Sequence, residues 1–389
     1  MSFKADHQTI NDLKIIGTNR EQDIYALFNR TRTRGGAAML KDMLLYPRSR
    51  EEEIRGRVNI IKYFKEKEIN FSFLPNIFDT IEHYLSNIDE RTRLSLHEDN
   101  FQRKFNNIIG SDTEYQQLNK GVLSTLVFFV ELKSFLSKLD ENDSAELNKD
   151  VVSIHEILGI RELEIIKDLD KIPKKLSYAD TARYDKVFRF KINKEVKKLL
   201  YHVYAFDVYS AVAEVAKEQG FCFATINTGD TNSIEMYGVY HPLVPNAIGN
   251  DLLIGENSNM IFLTGANMAG KSTFMKTFSI AIYLAHVGFP VPAKKMRFSI
   301  QNGIFTTINL PDNLNLGLSH FYSEVSRVKK VAESVNRNDR LIIVFDELFR
   351  GTNVKDAYDA TVAVANAFAG KRKCTFIISL PILLRRAKN

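Results

Sequence analysis

The sequence predicts a multidomain chain in which an all-α N-terminal part is followed by an α/β domain. Its length of 389 residues corresponds to two or three domains. Residues 1–222 contain 8 of the 19 glycines and 3 of the 9 prolines, so turn-forming residues are sparse in this part. Beyond residue 222, short apolar runs alternate with helical patterns, which is typical of α/β domains. We therefore divide the chain into domains 1–222 and 223–389.

A long helix is predicted at the end of the N-terminal part. Six apolar residues recur there at spacings of three, four or seven, which places them on one face of a helix. They are Ile192, Val196, Leu199, Val203, Phe206 and Ala213. Gly220 follows as a stop signal after roughly 25 residues of this pattern. Such a helix packs in a bundle or serves as a lever, and the pattern alone favours the bundle.

Three short apolar runs in the C-terminal part are predicted to be buried strands. They cover Met260 to Thr264, Leu341 to Phe345 and Thr375 to Ser379. Helical patterns follow two of them, at 272–286 and 356–368, and Asp356 is the expected N-cap of the second helix. Because strands alternate with helices, we expect a largely parallel sheet.

The composition excludes several classes of protein. With 44% hydrophobic and 26% charged residues the chain is in the globular range, which excludes collagen-like and wholly disordered chains. Cys222 and Cys374 form neither a disulfide framework nor a metal-ligand spacing. The start lacks a signal peptide, and the apolar run 121–130 is too short to cross a bilayer. We expect a soluble, cytoplasmic protein, and the net charge of +6 does not by itself identify a nucleic-acid binder.

The strongest functional motif is a glycine-containing loop between a predicted strand and a predicted helix. The run Gly265-Ala266-Asn267-Met268-Ala269-Gly270-Lys271-Ser272 matches the pattern of Gly, four residues, then Gly-Lys-Ser/Thr. Small residues allow successive amides to surround phosphate oxygens, and the N-terminus of the following helix favours negative charge. Lys271 is expected to reach the β and γ phosphates, and Ser272 to ligate Mg²⁺. A glycine turn without function is the alternative interpretation.

Two adjacent carboxylates follow another predicted strand. The apolar run 341–345 leads directly into Asp346 and Glu347. The C-terminal end of a buried strand is the place where α/β sheets bind ligands. We expect Asp346 to hold Mg²⁺ through water and Glu347 to polarise the water that attacks the γ phosphate. An acidic strand end without function is the alternative, and the preceding phosphate loop argues against it.

Both motifs resemble those of the MutS family of mismatch-repair ATPases. TGANMAGKST, from Thr264 to Thr273, is similar to the Walker A region of that family, and DELFRGT, from Asp346 to Thr352, to its Walker B region. Four other segments also resemble MutS proteins. They are Thr31 to Phe64 (the core), Phe206 to Ala216 (the helix returning from the lever), Tyr240-His241-Pro242 (the entry to the ATPase domain) and Gly317 to Glu324 (the signature segment).

The resemblance implies an N-terminal core and lever bundle followed by a P-loop NTPase domain of ABC type. It implies that Gly265 to Thr273 bind ATP with Mg²⁺, and that two such domains form a dimer with the nucleotide between them. Ser319 would then contact the γ phosphate bound to the partner, whereas without the resemblance it is a serine near a helix start. The family also implies association with duplex DNA.

Two features of the family are missing from this sequence. The core-like segment begins at Thr31, so we expect no N-terminal mismatch-recognition domain with its Phe-x-Glu wedge. After Ile378 a MutS ATPase would carry a Ser-Thr-His switch and a dimerising helix-turn-helix, but here Ser379 is followed by Leu380 and Pro381. We therefore expect a MutS-like protein that lacks mismatch recognition and is truncated at its C-terminus.

A basic segment precedes and enters the predicted long helix. Residues 183–198 contain seven basic side chains against Asp185 and Glu195, with Tyr184, Phe188 and Phe190 interleaved. Such a segment is able to contact DNA phosphates without reading sequence. A solvated helical face is the alternative, which the sequence favours.

The leading hypothesis is a MutS-like protein that binds and hydrolyses ATP with Mg²⁺ and associates with DNA without recognising mismatches. A homodimer is the expected assembly, and no contact with a membrane is expected. Two alternatives remain open. One is a nucleotide-dependent binding module with little or no turnover, which the missing switch histidine motivates. The other is a truncated, non-functional remnant.

Overall fold

The computed structural model describes most of the chain, in segments. Within them it has twelve α-helices and eight strands, so the predicted mixture of helical and α/β structure with a parallel sheet is confirmed. The described residues are 3–17, 22–94, 111–139, 145–167, 169, 173, 175–229, 231–255, 258–266, 268–308, 320–335, 339–349 and 352–380.

Two compact units divide the chain. We call the first the sheet unit; it comprises Met1–Asn29, Leu40–Ile61 and Val212–Asn389. The second, the helical unit, comprises Arg30–Met39 and Lys62–Ala211. The predicted domain boundary at residue 222 stays a prediction, and the units do not follow it, because two N-terminal segments and residues 212–222 belong to the sheet unit.

Nine of the helices lie in the first 218 residues. They are α1 (His7–Asp12), α2 (Ile24–Phe28), α3 (Arg34–Leu45), α4 (Glu51–Glu66), α5 (Asn76–Ser86), α6 (Ser111–Leu136), α7 (Ala145–Leu158), α8 (Tyr178–Asp185) and α9 (Asn193–Glu218). Two 3₁₀ helices, Glu90–Thr92 and Arg161–Ile166, and a π-helix, Lys186–Lys191, connect some of them. The predicted long helix is α9, and all six residues of its predicted apolar face are buried.

Phenylalanine rings form much of the core of the helical unit. Phe206 on α9 packs against Phe64 and Phe135, with ring centroids 6.1 and 5.4 Å apart. Phe135 in turn packs against Phe73 at 5.3 Å. Each ring buries a large apolar area, and offset or edge contacts between rings add to that stabilisation. The helices of this unit are therefore held by a continuous aromatic core.

A four-stranded parallel sheet forms the centre of the sheet unit. Its strands are β4 (Met260–Thr264), β6 (Gly303–Thr307), β7 (Leu341–Asp346) and β8 (Thr375–Leu380), in the order β4-β8-β7-β6. β7 and β8 are almost fully buried, as the continuous apolar runs predicted. The prediction of burial was wrong for β4, where Phe262 is 48% exposed, because β4 is the end strand of the sheet within the described residues.

The sheet unit also contains a mixed sheet that the sequence did not predict. Its strands are β1 (Thr225–Ile226), β2 (Ile234–Val239), β3 (Asn250–Ile254) and β5 (Lys295–Phe298), in the order β1-β5-β2-β3. At the other end of the parallel sheet, Lys4 pairs with Gly303 of β6 as a parallel bridge. Residues near the N-terminus therefore take part in the sheet unit.

Three helices follow strands of the parallel sheet: α10 (Lys271–Val287), α11 (His320–Val335) and α12 (Val354–Ala369). α10 and α12 confirm the two helices predicted in this part. The predicted N-cap of α12 was wrong, since the Asn353 side chain accepts a hydrogen bond from the Asp356 amide and so caps the helix. Asn353 starts the helix earlier than the apolar pattern indicated. No helix in the described parts of the chain is long and apolar enough to cross a bilayer.

Candidate functional site

The C-terminal ends of β4, β8 and β7 lie side by side and form what we call the carboxyl edge of the parallel sheet. The register places Thr264 opposite Leu380, and Asp346 opposite Ser379. Because all three strands are parallel, the segments that follow them emerge on the same edge. This is the edge at which α/β sheets bind ligands.

The loop after β4 leads into α10 through two residues with left-handed backbone conformation. Met268 has a φ of 65° and Gly270 a φ of 88°. Gly270 is the N-cap of α10 and makes no side-chain cap, while its carbonyl accepts a hydrogen bond from the Phe274 amide at 2.8 Å. Alternation of left- and right-handed residues directs successive amides to one side of a loop and produces a concave anion site. Both residues lie in the loop that the sequence predicts to bind phosphate, of which Asn267 lies outside the described residues.

Lys271, the first residue of α10, reaches back over this loop. Its Nζ donates hydrogen bonds to the carbonyl oxygens of Gly265 at 2.9 Å and Ala266 at 3.3 Å. The same ammonium group lies 3.4 Å from Oε1 of Glu347. The side chains of Lys271 and Glu347 are 9% and 20% exposed, so the ion pair is largely shielded from water. Lys271 and Glu347, the residue that follows β7, therefore meet in an ion pair.

Asp346 is the centre of a compact hydrogen-bond network. The Ser272 hydroxyl donates to its Oδ2 and the Ser379 hydroxyl to its Oδ1, both at 2.5 Å. The Ser379 hydroxyl also accepts a hydrogen bond from the Glu347 amide at 3.0 Å. Asp346 is 8% exposed and Ser379 is fully buried. The carboxylate is thus oriented by two hydroxyl groups from different elements.

Glu347 has a backbone conformation that is uncommon for its residue type. Its φ is 48°, in the left-handed region that residues with a Cβ enter at a cost. Phe349, two residues later, has a φ of 64°. Such strained residues cluster at functional sites, where the surrounding structure maintains them. The turn after β7 keeps the Glu347 carboxylate within reach of Lys271.

The chemistry of this edge fits a nucleoside triphosphate with Mg²⁺. A Cβ added at Gly270 would meet no heavy atom within 4 Å, so the loop is open at this point. The amides of the first turn of α10 suit phosphate oxygens, because the N-terminus of a helix favours anions. Ser272 and Asp346, which are hydrogen-bonded to each other, offer oxygen ligands, the hard donor type that Mg²⁺ prefers.

A cavity of about 510 Å³ adjoins the first turns of α10. It is in the size range of small-molecule sites. Burial lowers the pKa of Lys276, and burial followed by the charges of Lys276 and Lys14 lowers the pKa of His241. The His241 Nδ1 accepts a hydrogen bond from the Leu243 amide. The cavity is lined by Asp12, Leu13, Lys14, Gln22, His241, Leu243, Val244, Thr273 and Lys276.

The predicted site residues are therefore mostly brought together. Lys271, Ser272, Asp346 and Glu347 lie within one network at the carboxyl edge. Ser319, predicted to act across a dimer, lies outside the described residues. Sequence reasoning missed Ser379 as a member of the site. A polar residue at the end of an otherwise apolar strand was the signal that could have identified it.

The basic segment of the helical unit is only partly available to a ligand. Arg189 is 1% exposed, and its guanidinium group binds the buried Asp185 carboxylate. Five of the seven basic residues are exposed, and a sixth, Lys186, is partly buried. The five exposed ones are Arg183, Lys191, Lys194, Lys197 and Lys198.

Comparison with known proteins gives consistent matches to one family. Residues 261–381 match the family model for MutS domain V, a range that contains the whole network around Asp346. A DNA mismatch repair protein MutS from Petrotoga mobilis is 28% identical over 72% of this chain and 36% of its own length. The MutS protein from Persephonella marina is 27% identical over 74% of this chain and 33% of its own length. The MutS protein from Fusobacterium nucleatum is 33% identical over 43% of this chain and 19% of its own. This chain spans about a third of the length of the first two relatives.

Proposed function

Because this chain belongs to the MutS family, we propose that its sheet unit is a P-loop ATPase domain of ABC type that binds and hydrolyses ATP with Mg²⁺. One observation carries the proposal. Lys271 and Ser272 at the start of α10, Asp346 at the end of β7 and Glu347 just after it form one connected network. The two pairs of residues are separated by some 75 positions in sequence. A glycine turn with a purely structural role would not require them to lie together. The same edge combines an anion cradle with a carboxylate suited to water activation.

Each residue of the network has a separate task in this proposal. The loop from Gly265 to Thr273 holds the phosphates by its amides, and Lys271 binds the β and γ phosphates. Ser272 and Asp346 hold Mg²⁺, which neutralises charge on the phosphates. Glu347 orients and polarises the attacking water.

The ion pair between Lys271 and Glu347 suggests how binding prepares this site. A lysine ammonium group has three donors, and two of those of Lys271 are used by the loop carbonyls of Gly265 and Ala266. A triphosphate that takes Lys271 competes with Glu347 for this cation. The carboxylate is then available to accept a hydrogen bond from water.

The cavity beside α10 supports a nucleotide rather than inorganic phosphate as the ligand. Thr273 belongs both to the predicted phosphate loop and to the wall of the cavity. A volume of about 510 Å³ accommodates the nucleoside part of ATP. Lys276 and His241 are partly buried and supply polar groups to the wall of the cavity, part of which is apolar.

For the helical unit we propose the role of a MutS core and lever region that associates with duplex DNA without reading sequence or mismatches. The five exposed basic residues of the basic segment support this role, because phosphate contacts require positive charge and no base-specific geometry. A homodimer with Ser319 directed at the partner's nucleotide remains part of the proposal, which rests on the family alone.

Removal of Lys271 and of the Glu347 carboxylate tests the enzymatic part. Lys271→Ala should abolish binding of ATP, measured by titration of a fluorescent ATP analogue. Glu347→Gln should retain binding and lower the steady-state hydrolysis rate by about 10² to 10⁴, the usual contribution of a general base. Glu333→Gln, an exposed carboxylate on α11, is the matched control and should leave both values unchanged.

The same assays separate the ATPase from a binding module with little turnover. The binding module would bind ATP through Lys271 but show equal, negligible hydrolysis in the wild type and in Glu347→Gln. Unchanged ATP binding by Lys271→Ala would contradict both functions. Hydrolysis measured with and without duplex DNA then tests whether the helical unit affects the site.

A further inference from the structure

Ser379 occupies a central place in the network although it belongs to none of the motifs that identified the site. It is fully buried near the end of β8, in register with Asp346 on the neighbouring strand. Its hydroxyl donates to Oδ1 of Asp346, while Ser272 donates to Oδ2. Each carboxylate oxygen therefore receives one hydroxyl hydrogen bond, and the plane of the carboxylate is fixed from two sides.

The Ser379 hydroxyl has a second task at the adjacent residue. It accepts the hydrogen bond of the Glu347 amide at 3.0 Å. A serine hydroxyl has one donor and two acceptor sites, so a single Ser379 is able to serve both neighbours. Glu347 is the residue with the left-handed φ of 48°. The bond from its amide to β8 helps to maintain this strained turn.

We propose that Ser379 is a positioning residue of the ATPase site, an inference that rests on the function proposed above. It orients Asp346 so that Oδ2 stays beside Ser272, and these two residues would hold Mg²⁺. It also sets the backbone from which the Glu347 carboxylate projects. Loss of a group that orients a metal ligand in this way typically lowers metal affinity or activity by about 10-fold to 100-fold.

Removal of the hydroxyl has a specific physical consequence. In Ser379→Ala, Oδ1 of Asp346 and the Glu347 amide both lose a buried hydrogen-bond partner. The carboxylate then keeps only one of the two hydroxyl bonds that orient it, and the turn at Glu347 loses a tie to β8. The loop amides and Lys271 make no hydrogen bond to Ser379 among the described contacts, so binding of metal-free nucleotide should persist.

The test measures nucleotide affinity with and without the metal. The dissociation constant of a fluorescent ATP analogue is determined in EDTA and in excess Mg²⁺, and the ratio gives the Mg²⁺ enhancement. Three variants are compared with the wild type: Ser379→Ala, Ser379→Thr, which keeps the hydroxyl, and Ser379→Cys, which keeps the size but is a weak donor. Thermal unfolding of each variant reports whether it is folded.

Ser299→Ala is the matched control. Ser299 is also fully buried, and its hydroxyl also links two partners, donating to the Thr231 carbonyl and accepting from the Ser233 amide. It follows β5 of the mixed sheet and, among the described contacts, has no bond to the network around Asp346. Its loss should lower the melting temperature without changing the Mg²⁺ enhancement.

The inference predicts that Ser379→Ala and Ser379→Cys lower the Mg²⁺ enhancement by about 10-fold to 100-fold, as loss of a group that orients a metal ligand does. Ser379→Thr should recover most of it, and metal-free affinity should change little in all variants. If the wild type shows the enhancement and the Ala and Cys variants retain it, the inference fails while the proposed function stands. If Ser379→Ala does not fold, the Thr and Cys variants decide. A wild type without any Mg²⁺ enhancement would remove the proposed function and this inference together.

Discussion

Arg189 in the helical unit and Asp346 in the sheet unit both have charged side chains that are almost completely buried. The groups that surround these two side chains differ. All five N–H groups of Arg189 are hydrogen-bonded, to Asp185, Asn87 and Thr92. Asp346 accepts bonds from two serine hydroxyls and is followed by Glu347, which pairs with Lys271 of a loop that is open at Gly270. The first cluster is closed by the protein itself, whereas the second adjoins an open loop and a cavity.

The two clusters also differ in backbone conformation and in how completely their neighbours enclose them. Arg189 lies in a π-helix, and its aromatic neighbours Tyr84 and Phe190 complete the enclosure through contacts with its guanidinium group. Burial, and after it the Asp185 carboxylate, raise the pKa of Tyr84 well above its usual value, as expected for a phenol that donates to a buried anion. At the carboxyl edge, by contrast, Met268, Gly270 and Glu347 all have positive φ. A closed and fully paired cluster indicates a structural role, and an open cluster on a strained backbone indicates a functional one.

The largest effect on stability is expected from Arg189. Arg189→Met leaves the Asp185 carboxylate buried without its cation, which should lower the free energy of unfolding by about 3 to 5 kcal/mol. Urea unfolding followed by circular dichroism measures the change. A change in the free energy of unfolding below about 1 kcal/mol, the usual value for an exposed ion pair, would contradict the comparison. The cluster around Arg189 would then not be needed for the stability of the helical unit.

Two further variants sharpen this test. Arg183→Met removes an exposed arginine from α8 and should leave the stability almost unchanged. The double variant Asp185→Leu with Arg189→Met removes both charges of the buried pair. It should recover part of the lost stability, because the cost of the single variant comes largely from the uncompensated buried charge.

The sheet unit illustrates which features a sequence pattern is able to predict. Continuous apolar runs predicted β7 and β8, because both faces of these strands are covered. The mixed sheet was not predicted, since its strands have partly exposed, uneven patterns, such as that of β3. The pairing of Lys4 with Gly303 joins positions some 300 residues apart, and no local pattern contains that information.

The residues of the candidate site likewise differ in whether a local sequence pattern was able to predict them. Lys271, Ser272, Asp346 and Glu347 were predicted because phosphate chemistry demands these residue types next to a strand end. Ser379 was missed because its role depends on the register between β7 and β8, which brings it opposite Asp346. The burial of Arg189 was missed because its partner Thr92 lies 97 positions away in sequence. Local chemistry is visible in sequence, whereas pairing across strands and helices is not.

The sheet unit also contains a polar group that the protein encloses. It shows whether enclosure by the protein, rather than the unit in which a residue lies, gives that residue a structural role. His286 on α10 is fully buried, with the Ile282 carbonyl 2.9 Å from its Nδ1 and the Gln301 amide donating to its Nε2. The rings of Phe3 and Phe298 pack against it. Burial lowers the pKa of His286 to about 4, although the bond to Ile282 acts in the opposite direction.

This pKa predicts the pH range in which His286 affects stability. Between about pH 6.5 and pH 4 the unfolded chain binds a proton at this histidine and the folded chain does not, so stability falls as the pH is lowered through this range. The loss from this group should reach about 3 kcal/mol and level off below pH 4. Urea unfolding at several pH values measures it. His286→Gln should flatten this part of the profile, and His83→Gln, at an exposed position on α5, should not.

The smallest effect is expected from the open loop, where a change in backbone preference should alter binding more than folding. Gly270 and Gly370 form a matched pair, because a Cβ added at either meets no heavy atom within 4 Å. They differ in conformation, since Gly270 has a φ of 88° and Gly370 a φ of −71°. Only the first conformation is costly for alanine.

Gly270→Ala should therefore weaken ATP binding by about tenfold, because re-forming the left-handed conformation around the phosphates costs an alanine about 1 to 2 kcal/mol. The melting temperature should change little, since the exposed loop is able to relax when no ligand holds it. Gly370→Ala should leave the affinity unchanged and slightly raise the stability, because the unfolded chain loses freedom while the native φ suits alanine. Fluorescent ATP titration and thermal unfolding of both variants measure these effects. An equal loss of affinity in both would mean that the left-handed conformation at Gly270 plays no part in holding the nucleotide.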